Sequence, residues 1–186
     1  EFDVIAKLRD DKNELGELKR VVNSLIQNID AFSNDSILIA ATNHHELLDP
    51  AIWRRFTTIV SLEKPQKGEI ERLLTILLTD KENNFMGNER KLNGVIDALF
   101  GFSHSDIKTV TFNAIREVIL SGRSSLTNCD ILKSIFFYKN HAIENEDDLI
   151  EYLLKNGVTH KEINDSLAIP LRRIQGISKN LDRKEL

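Results

Sequence analysis

Two short apolar runs upstream of Pro65, with only helical periodicity downstream of it, are the features that most restrict the fold of this chain. Residues 37–42 are uninterruptedly aliphatic or small, which is typical of a short strand buried on both faces rather than of a helix. Residues 57–62 form a second candidate strand. We therefore predict an α/β protein that is mostly α, with its strands confined to the first third of the chain.

Amphipathic helices are predicted for most of the remaining sequence. A helix over 14–32 precedes the apolar runs, because its apolar residues recur at spacings of three and four. The segments 103–106 and 159–162 have the Ser/Thr-x-x-Asp/Glu pattern of N-terminal capping boxes. Further helices are predicted within 70–78, 92–100, 107–119 and 126–138, and three short helices after an acidic linker at 143–148.

These patterns divide the chain into three segments. Residues 1–65 would contain the strands, residues 66–142 would form a helical domain, and residues 147–186 would form a small helical tail that resembles a helix-turn-helix unit. Gly157 would stop the first helix of the tail, and Pro170 would start the last one.

Composition argues against several classes of function. A net charge of -4 and an aromatic content of 6% give no sign of an extensive nucleic-acid surface. Cys129 is the only cysteine, so no intrachain disulfide can form. No metal site is predicted, because His44, His45 and His104 lack thiolate or carboxylate companions at ligand spacing. No apolar run approaches the roughly 18–20 residues that span a bilayer, so we expect no membrane partner and a cytoplasmic location.

Four short motifs follow one another along the chain in a fixed order. They are Glu1-Phe2-Asp3, Ala41-Thr42-Asn43, Leu48-Asp49-Pro50-Ala51 with Arg54-Arg55, and Gly101-Phe102-Ser103-His104. Their order and spacing resemble those of the AAA (AAA+) ATPases, in the clade of the katanin- and spastin-like remodellers and the membrane-anchored AAA proteases, over about residues 1–138. The resemblance implies that residues 1–65 are the C-terminal part of the αβα core of a P-loop NTPase and that residues 66–142 are its helical lid.

The resemblance implies a role in ATP hydrolysis for four residues. Glu1 corresponds to the acidic residue that closes the Walker B strand and polarises the attacking water. Asn43 corresponds to sensor 1, whose amide bonds both the water and the γ-phosphate. Arg54 and Arg55 correspond to arginine fingers, which stabilise the transition state on a neighbouring subunit's nucleotide. Without the resemblance, these residues would be a terminal carboxylate, a turn asparagine and a solvated basic pair.

The lid motif and the end of the first helix carry further candidates. By resemblance, Gly101, Ser103 and His104 lie where the lid approaches the adenine and ribose, although His104 is bulkier than the glycine usual there. Asp30 lies where family counterparts often face a subunit boundary, but a solvated helix face is an equally good interpretation.

The phosphate-binding half of the module is missing from the sequence. No Gly-x-x-x-x-Gly-Lys-[Ser/Thr] segment occurs, and the chain starts without Met, so we expect a truncated chain that is inactive by itself. In the family's sheet, a strand from the missing half lies between the two predicted strands, which would therefore lack their neighbour. The cofactors of the complete protein would be ATP and Mg²⁺.

The function implied for the complete protein is a mechanochemical one. A homo-oligomeric ring, a hexamer, would use ATP hydrolysis to remodel or unfold a protein client. The alternatives are a helix-turn-helix module that binds DNA or a protein beside a vestigial ATPase, and a purely structural helical adaptor. Residues 147–184 carry seven basic and six acidic side chains, which favours packing or partner docking over DNA binding. The polar residues of the last helix are Arg172, Arg173, Gln175 and Lys179.

Overall fold

A computed structural model of the chain describes residues 15–33, 35–44, 49–141 and 145–184, which fall into two compact units, 1–62 and 63–186. The first unit contains helices α1 (Leu15–Asp30) and α2 (Pro50–Trp53). Helix α1 confirms the first predicted helix. Helix α2 begins where Asp49 accepts a hydrogen bond from the Ala51 N–H at 2.8 Å, and Pro50 occupies the first turn, where its missing N–H leaves no bond unmade.

The predictions of a strand buried on both faces at 37–42 and of a second strand at 57–62 were wrong. Residues 37–42 and 57–62 have no regular secondary structure, and their side chains lie in solvent: Ile37 is 87% exposed, Ile39 85% and Leu62 92%. An extended segment is stable as a strand only when a neighbour pairs with its N–H and C=O groups, and no described residue supplies one. Among the described residues, the only β-type pairing is an isolated parallel bridge between Asn83 and Leu126 in the second unit.

The second unit is built from seven helices in its described part, each close to a predicted one. The capping boxes predicted at 103–106 and 159–162 are confirmed, and two more occur at 66–69 and 127–130. Gly157 ends a helix with a φ of 81°, as expected for a residue in the left-handed region. The helices are α3 (Lys67–Leu77), α4 (Glu89–Leu99), α5 (His104–Leu120), α6 (Asn128–Asn140), α7 (Glu146–Lys155), α8 (His160–Leu167) and α9 (Leu171–Lys184).

One hydrophobic cluster runs through all seven helices of the second unit. Its members run along the chain from Ile70 in α3 to Ile177 in α9, and they include Ile135 of α6, which is completely buried. The C-cap of α7, Asn156, approaches α4 so closely that a Cβ atom on Gly94 would lie 2.5 Å from its backbone oxygen. The helices after the acidic linker therefore share a core with those before it. The division into 66–142 and 147–186 stays a prediction about chain segments.

Candidate functional site

The sensor-1 candidate, Asn43, lies in an exposed bend after residues 37–42. The Thr42 hydroxyl accepts a hydrogen bond from the His44 N–H at 3.0 Å, which closes a turn around Asn43. The Asn43 side chain is exposed and makes no hydrogen bond to another described residue. Its amide is therefore open to an outside partner, as a group that senses phosphate and water must be.

The two candidate arginine fingers lie in different environments. Arg55 follows α2, and its guanidinium donates three hydrogen bonds. Its Nε and Nη2 donate to the two carboxylate oxygens of Asp30 at 2.9 and 3.0 Å, and its Nη1 donates to the Ala51 carbonyl at 2.8 Å. Arg54 is exposed at the C-terminus of the same helix and pairs with no described carboxylate. The pair therefore divides into one guanidinium bound within its own unit and one that points into solvent.

The Asp30–Arg55 contact links the two helices of the first unit. It is a bidentate, charge-assisted pair, the strongest geometry available to these two groups. The hydrogen bond from Arg55 lowers the pKa of Asp30 below its usual range. The same hydrogen bond raises the pKa of Arg55, so the pair stays ionised at neutral pH. Asp30 is 51% exposed, so it lies on an outer helix face as well as in the pair with Arg55, and both interpretations of this residue stay open.

The lid motif forms the entry to helix α5. Gly101 has a φ of 88°, a conformation that favours glycine, and the chain then reaches Ser103, the N-cap of α5. Ser103 Oγ accepts from the Asp106 N–H at 3.1 Å, and Asp106 Oδ2 accepts from the Ser103 N–H and hydroxyl at 3.1 and 2.7 Å. His104, the first residue of α5, is exposed. The motif is thus a rigid helix start with an imidazole on its outer side.

The C-terminal turn of α6 contacts the same motif. The Tyr138 hydroxyl donates to Asp106 Oδ1 at 2.5 Å, and the Tyr138 and Phe102 rings lie 5.6 Å apart. Lys139 Nζ lies 5.1 Å from the centre of the Phe102 ring and donates to the Ala98 carbonyl at 3.3 Å. The hydrogen bonds from Tyr138 and then Ser103 lower the pKa of Asp106, so this carboxylate is ionised at neutral pH.

The structure describes most of the predicted site residues and shows two contacts at the candidate sites that were not predicted. Asn43, Arg54 and Arg55 are described in the first unit, and the 101–104 motif in the second. Glu1 lies outside the described residues. The Asp30–Arg55 and Tyr138–Asp106 contacts were not predicted, because their partners are 25 and 32 residues apart and no local pattern joins them.

Two of the candidate residues have exposed polar groups. The amide of Asn43 and the guanidinium of Arg54 can both donate hydrogen bonds to an outside acceptor. Among the described ranges, no three His, Cys, Asp or Glu side chains are grouped to hold a metal ion, so no Mg²⁺ ligand is assigned there. In the same ranges, no helix combines the length and apolar character needed to cross a bilayer.

Comparison with known proteins identifies the family. Residues 1–64 match the model of the ATPase family associated with various cellular activities (AAA). An uncharacterized AAA family ATPase of Sinorhizobium fredii is 36% identical over 135 residues, covering 73% of this chain and 39% of the relative. The chloroplastic ATP-dependent zinc metalloprotease FTSH 7 of Arabidopsis thaliana is 32% identical over 137 residues, which are 70% of this chain and 17% of that protein.

A third relative is the proteasome-activating nucleotidase 2 of Haloferax volcanii, 30% identical over 136 residues, 70% of this chain and 32% of the relative. The chain thus spans between 17% and 39% of the length of these three proteins. The ordered motifs, the helix start at 101–107 and the matches together define an AAA-type P-loop NTPase, mostly helical in its described part. The chain belongs to the AAA ATPase family.

Proposed function

We propose that this chain is the sensor, finger and lid portion of an ATPase that couples hydrolysis to the remodelling or unfolding of a protein client. The protein acts as a homo-oligomeric ring, a hexamer, with ATP and Mg²⁺ as cofactors. The names of two relatives, an ATP-dependent metalloprotease and a proteasome-activating nucleotidase, support a protein client. Residues Glu1, Asn43 and Arg54 would act on the γ-phosphate and water, and Arg55 would hold the helix that carries Arg54. Gly101, Ser103 and His104 would meet the adenosine.

The observation that carries the proposal is the difference in environment between Arg54, which is exposed, and Arg55, which is bound within its own unit. Arg55 has three hydrogen bonds inside its own unit, which orient α2 against the end of α1. Arg54, which immediately precedes Arg55 in the sequence, has an exposed guanidinium without a described ion-pair partner. An organised helix end that presents one free guanidinium is the geometry required of a finger that acts on another subunit.

A finger of this kind acts mainly on the transition state. Charge accumulates on the phosphoryl oxygens as the γ-phosphate leaves, and a guanidinium fork stabilises that charge more than it stabilises bound ATP. Since Arg54 would reach the nucleotide of a neighbouring subunit, hydrolysis would depend on assembly of the ring. When bound, Mg²⁺ neutralises phosphate charge, and its ligands would come from residues other than those described.

The test uses the complete protein that contains this chain. Arg54→Ala is expected to lower kcat for ATP hydrolysis at least about 100-fold with little change in nucleotide affinity. Arg72→Ala, which removes an exposed arginine from α3, is the matched control and should keep kcat within about twofold. Co-assembly of the Arg54→Ala protein with a variant unable to bind ATP should restore part of the activity. Confirmed co-assembly without any rescue would refute action between subunits.

The same interpretation makes the isolated chain inactive. Without a glycine-rich loop to surround the phosphates, the 186 residues should bind ATP weakly and hydrolyse none of it. Micromolar ATP affinity of this chain by titration calorimetry would contradict that expectation.

A second candidate function belongs to helices α8 and α9, which are joined by a turn at residues 168–170 and would form the helix-turn-helix unit. Ala168, between them, has a φ of 56°, and Asn164 Nδ2 donates to the Ile169 carbonyl at 2.7 Å. On α9, Arg172 and Lys179 are exposed, but Arg173 is bound by two carboxylates at the start of α7. If α9 reads duplex DNA, Arg172→Ala should weaken binding in fluorescence anisotropy with a strong salt dependence. Absence of binding at low salt would leave a packing role.

A further inference from the structure

The lid motif has a contact that the other capping boxes of the same unit lack. In three of these boxes the capping carboxylate also reaches a residue outside the box. In the lid motif that outside residue is a neutral phenol, Tyr138, whereas in the other two it is a cation. The cationic partners are Arg123, 2.7 Å from Asp130 in the 127–130 box, and Lys91, 2.5 Å from Glu162 in the 159–162 box.

The two carboxylate oxygens of Asp106 accept hydrogen bonds from different residues. Oδ2 accepts both bonds from Ser103 and so fixes the helix start. Oδ1 accepts only the Tyr138 hydroxyl, 32 residues further along the chain, and so ties that helix start to the end of α6. Deleting the phenolic hydroxyl would leave the capping box intact and cut only this tie.

The ring of Tyr138 adds a second contact to the same loop. It lies 5.6 Å from the Phe102 ring at an interplanar angle of 45°, and Lys139 covers Phe102 at 5.1 Å. Phe102 precedes Ser103 and Asp106 follows it, so the end of α6 contacts the motif on both sides of the N-cap. Helix α6 is a suitable anchor, because residues 131, 132 and 135 on it are completely buried.

We propose that Tyr138 is a positioning residue for the nucleotide: its hydroxyl bond to Asp106 and its ring contact with Phe102 hold the loop 101–105 in the orientation in which the lid binds adenosine. This proposal rests on the proposed ATPase function. The neutral phenol donates one hydrogen bond to Asp106 Oδ1 and adds no charge of its own, so its contribution is to orient the loop.

The first experiment compares Tyr138→Phe with Tyr152→Phe in the complete protein. Tyr152 is a matched control, since its hydroxyl is buried in α7 and has no hydrogen-bond partner among the described residues. Tyr138→Phe is expected to raise KM and the dissociation constant for ATP about 5- to 20-fold, with kcat changed less than about twofold, because a fixed binding surface is lost rather than a transition-state contact. Tyr152→Phe should leave both constants within about twofold.

The second experiment uses this chain without nucleotide. Hydrogen exchange of the amides at 102–106 should become at least about fivefold faster in Tyr138→Phe, while exchange in the 159–162 box stays as in the wild type. Unchanged exchange at 102–106 overturns the proposal. So does an unchanged KM for ATP in an active protein, or an equal rise of KM in Tyr152→Phe. If the complete wild-type protein hydrolyses no ATP, the proposed function fails instead, and faster exchange would then show a structural tie only.

Discussion

The described parts of the two units contain apolar runs of comparable strength but bury them very differently. In the first unit Ile52 is the only described side chain that is fully buried, and the aliphatic residues of 37–42 and 57–62 are largely in water. In the second unit the apolar faces of all seven helices meet in one cluster. A helix satisfies its backbone hydrogen bonds internally and needs only a packing partner, whereas a strand also needs a neighbour along its edge.

This difference also separates the two groups of candidate site residues. The 101–107 motif is attached to a closed core and fixed by side chains from α6. Arg54 and Arg55 depend on a four-residue helix, on Ile52 beneath it, and on the pair with Asp30. The 101–107 motif is therefore preorganised within its own unit, and helix α2 is held by few contacts.

The largest expected contrast is in core truncation. Leu132→Ala removes a completely buried side chain in α6 and should lower the free energy of unfolding by about 2–5 kcal/mol. Ile39→Ala removes a side chain that is 85% exposed and should change it by less than about 0.5 kcal/mol. Urea unfolding followed by circular dichroism measures both. Equal losses would mean that residues 37–42 are buried in the chain in solution.

A smaller effect is expected where the C-cap of α7 meets α4. Gly94→Ala would place a Cβ atom 2.5 Å from the Asn156 carbonyl oxygen, so the backbone there must shift, at a cost of about 1–3 kcal/mol. Gly176→Ala in α9 is the matched control, because no atom lies within 4 Å of its added Cβ. It should stabilise the chain by up to about 1 kcal/mol through helix propensity. A neutral Gly94→Ala in thermal unfolding would argue against the close approach of Asn156 to α4.

The smallest effect is a dependence on pH. Burial raises the pKa of Glu162, but hydrogen bonds from Lys91 and from the Thr159 N–H and hydroxyl outweigh burial and leave this pKa below the usual 4.5. A carboxyl with a lowered folded pKa stabilises the fold above its unfolded pKa, and that contribution disappears as the pH falls below 4.5 through the folded value.

Glu162→Gln should therefore flatten the fall in stability below pH 4.5, by up to about 1 kcal/mol for a pair whose side chains are 23% and 22% exposed. Glu71→Gln, which removes an exposed carboxylate from α3, controls for the change in net charge. Thermal unfolding between pH 3 and 7, in steps of about half a unit, measures the difference. Parallel pH profiles for the wild type and Glu162→Gln would exclude a role for the Lys91–Glu162 pair.

Sequence patterns were sufficient where the causes of structure are local. The helix start at Ser103 and Asp106, the one at Thr159, and the stop at Gly157 are each decided by residues within one turn of the chain, and all were predicted. The 127–130 box carries the same Thr-x-x-Asp signal, and its sequence would have been enough to identify it.

The ordered motifs also determined the AAA family and named the residues in which its chemistry would lie. Tertiary structure alone decided that Asp30 binds Arg55 and leaves Arg54 exposed, that Tyr138 reaches Asp106, and that Gly94 admits a neighbouring helix. It also decided that residues 37–42 stay unpaired. The physical reason is the same in each case: capping and periodicity act between residues close in sequence, whereas pairing and packing require partners that only the folded chain brings together.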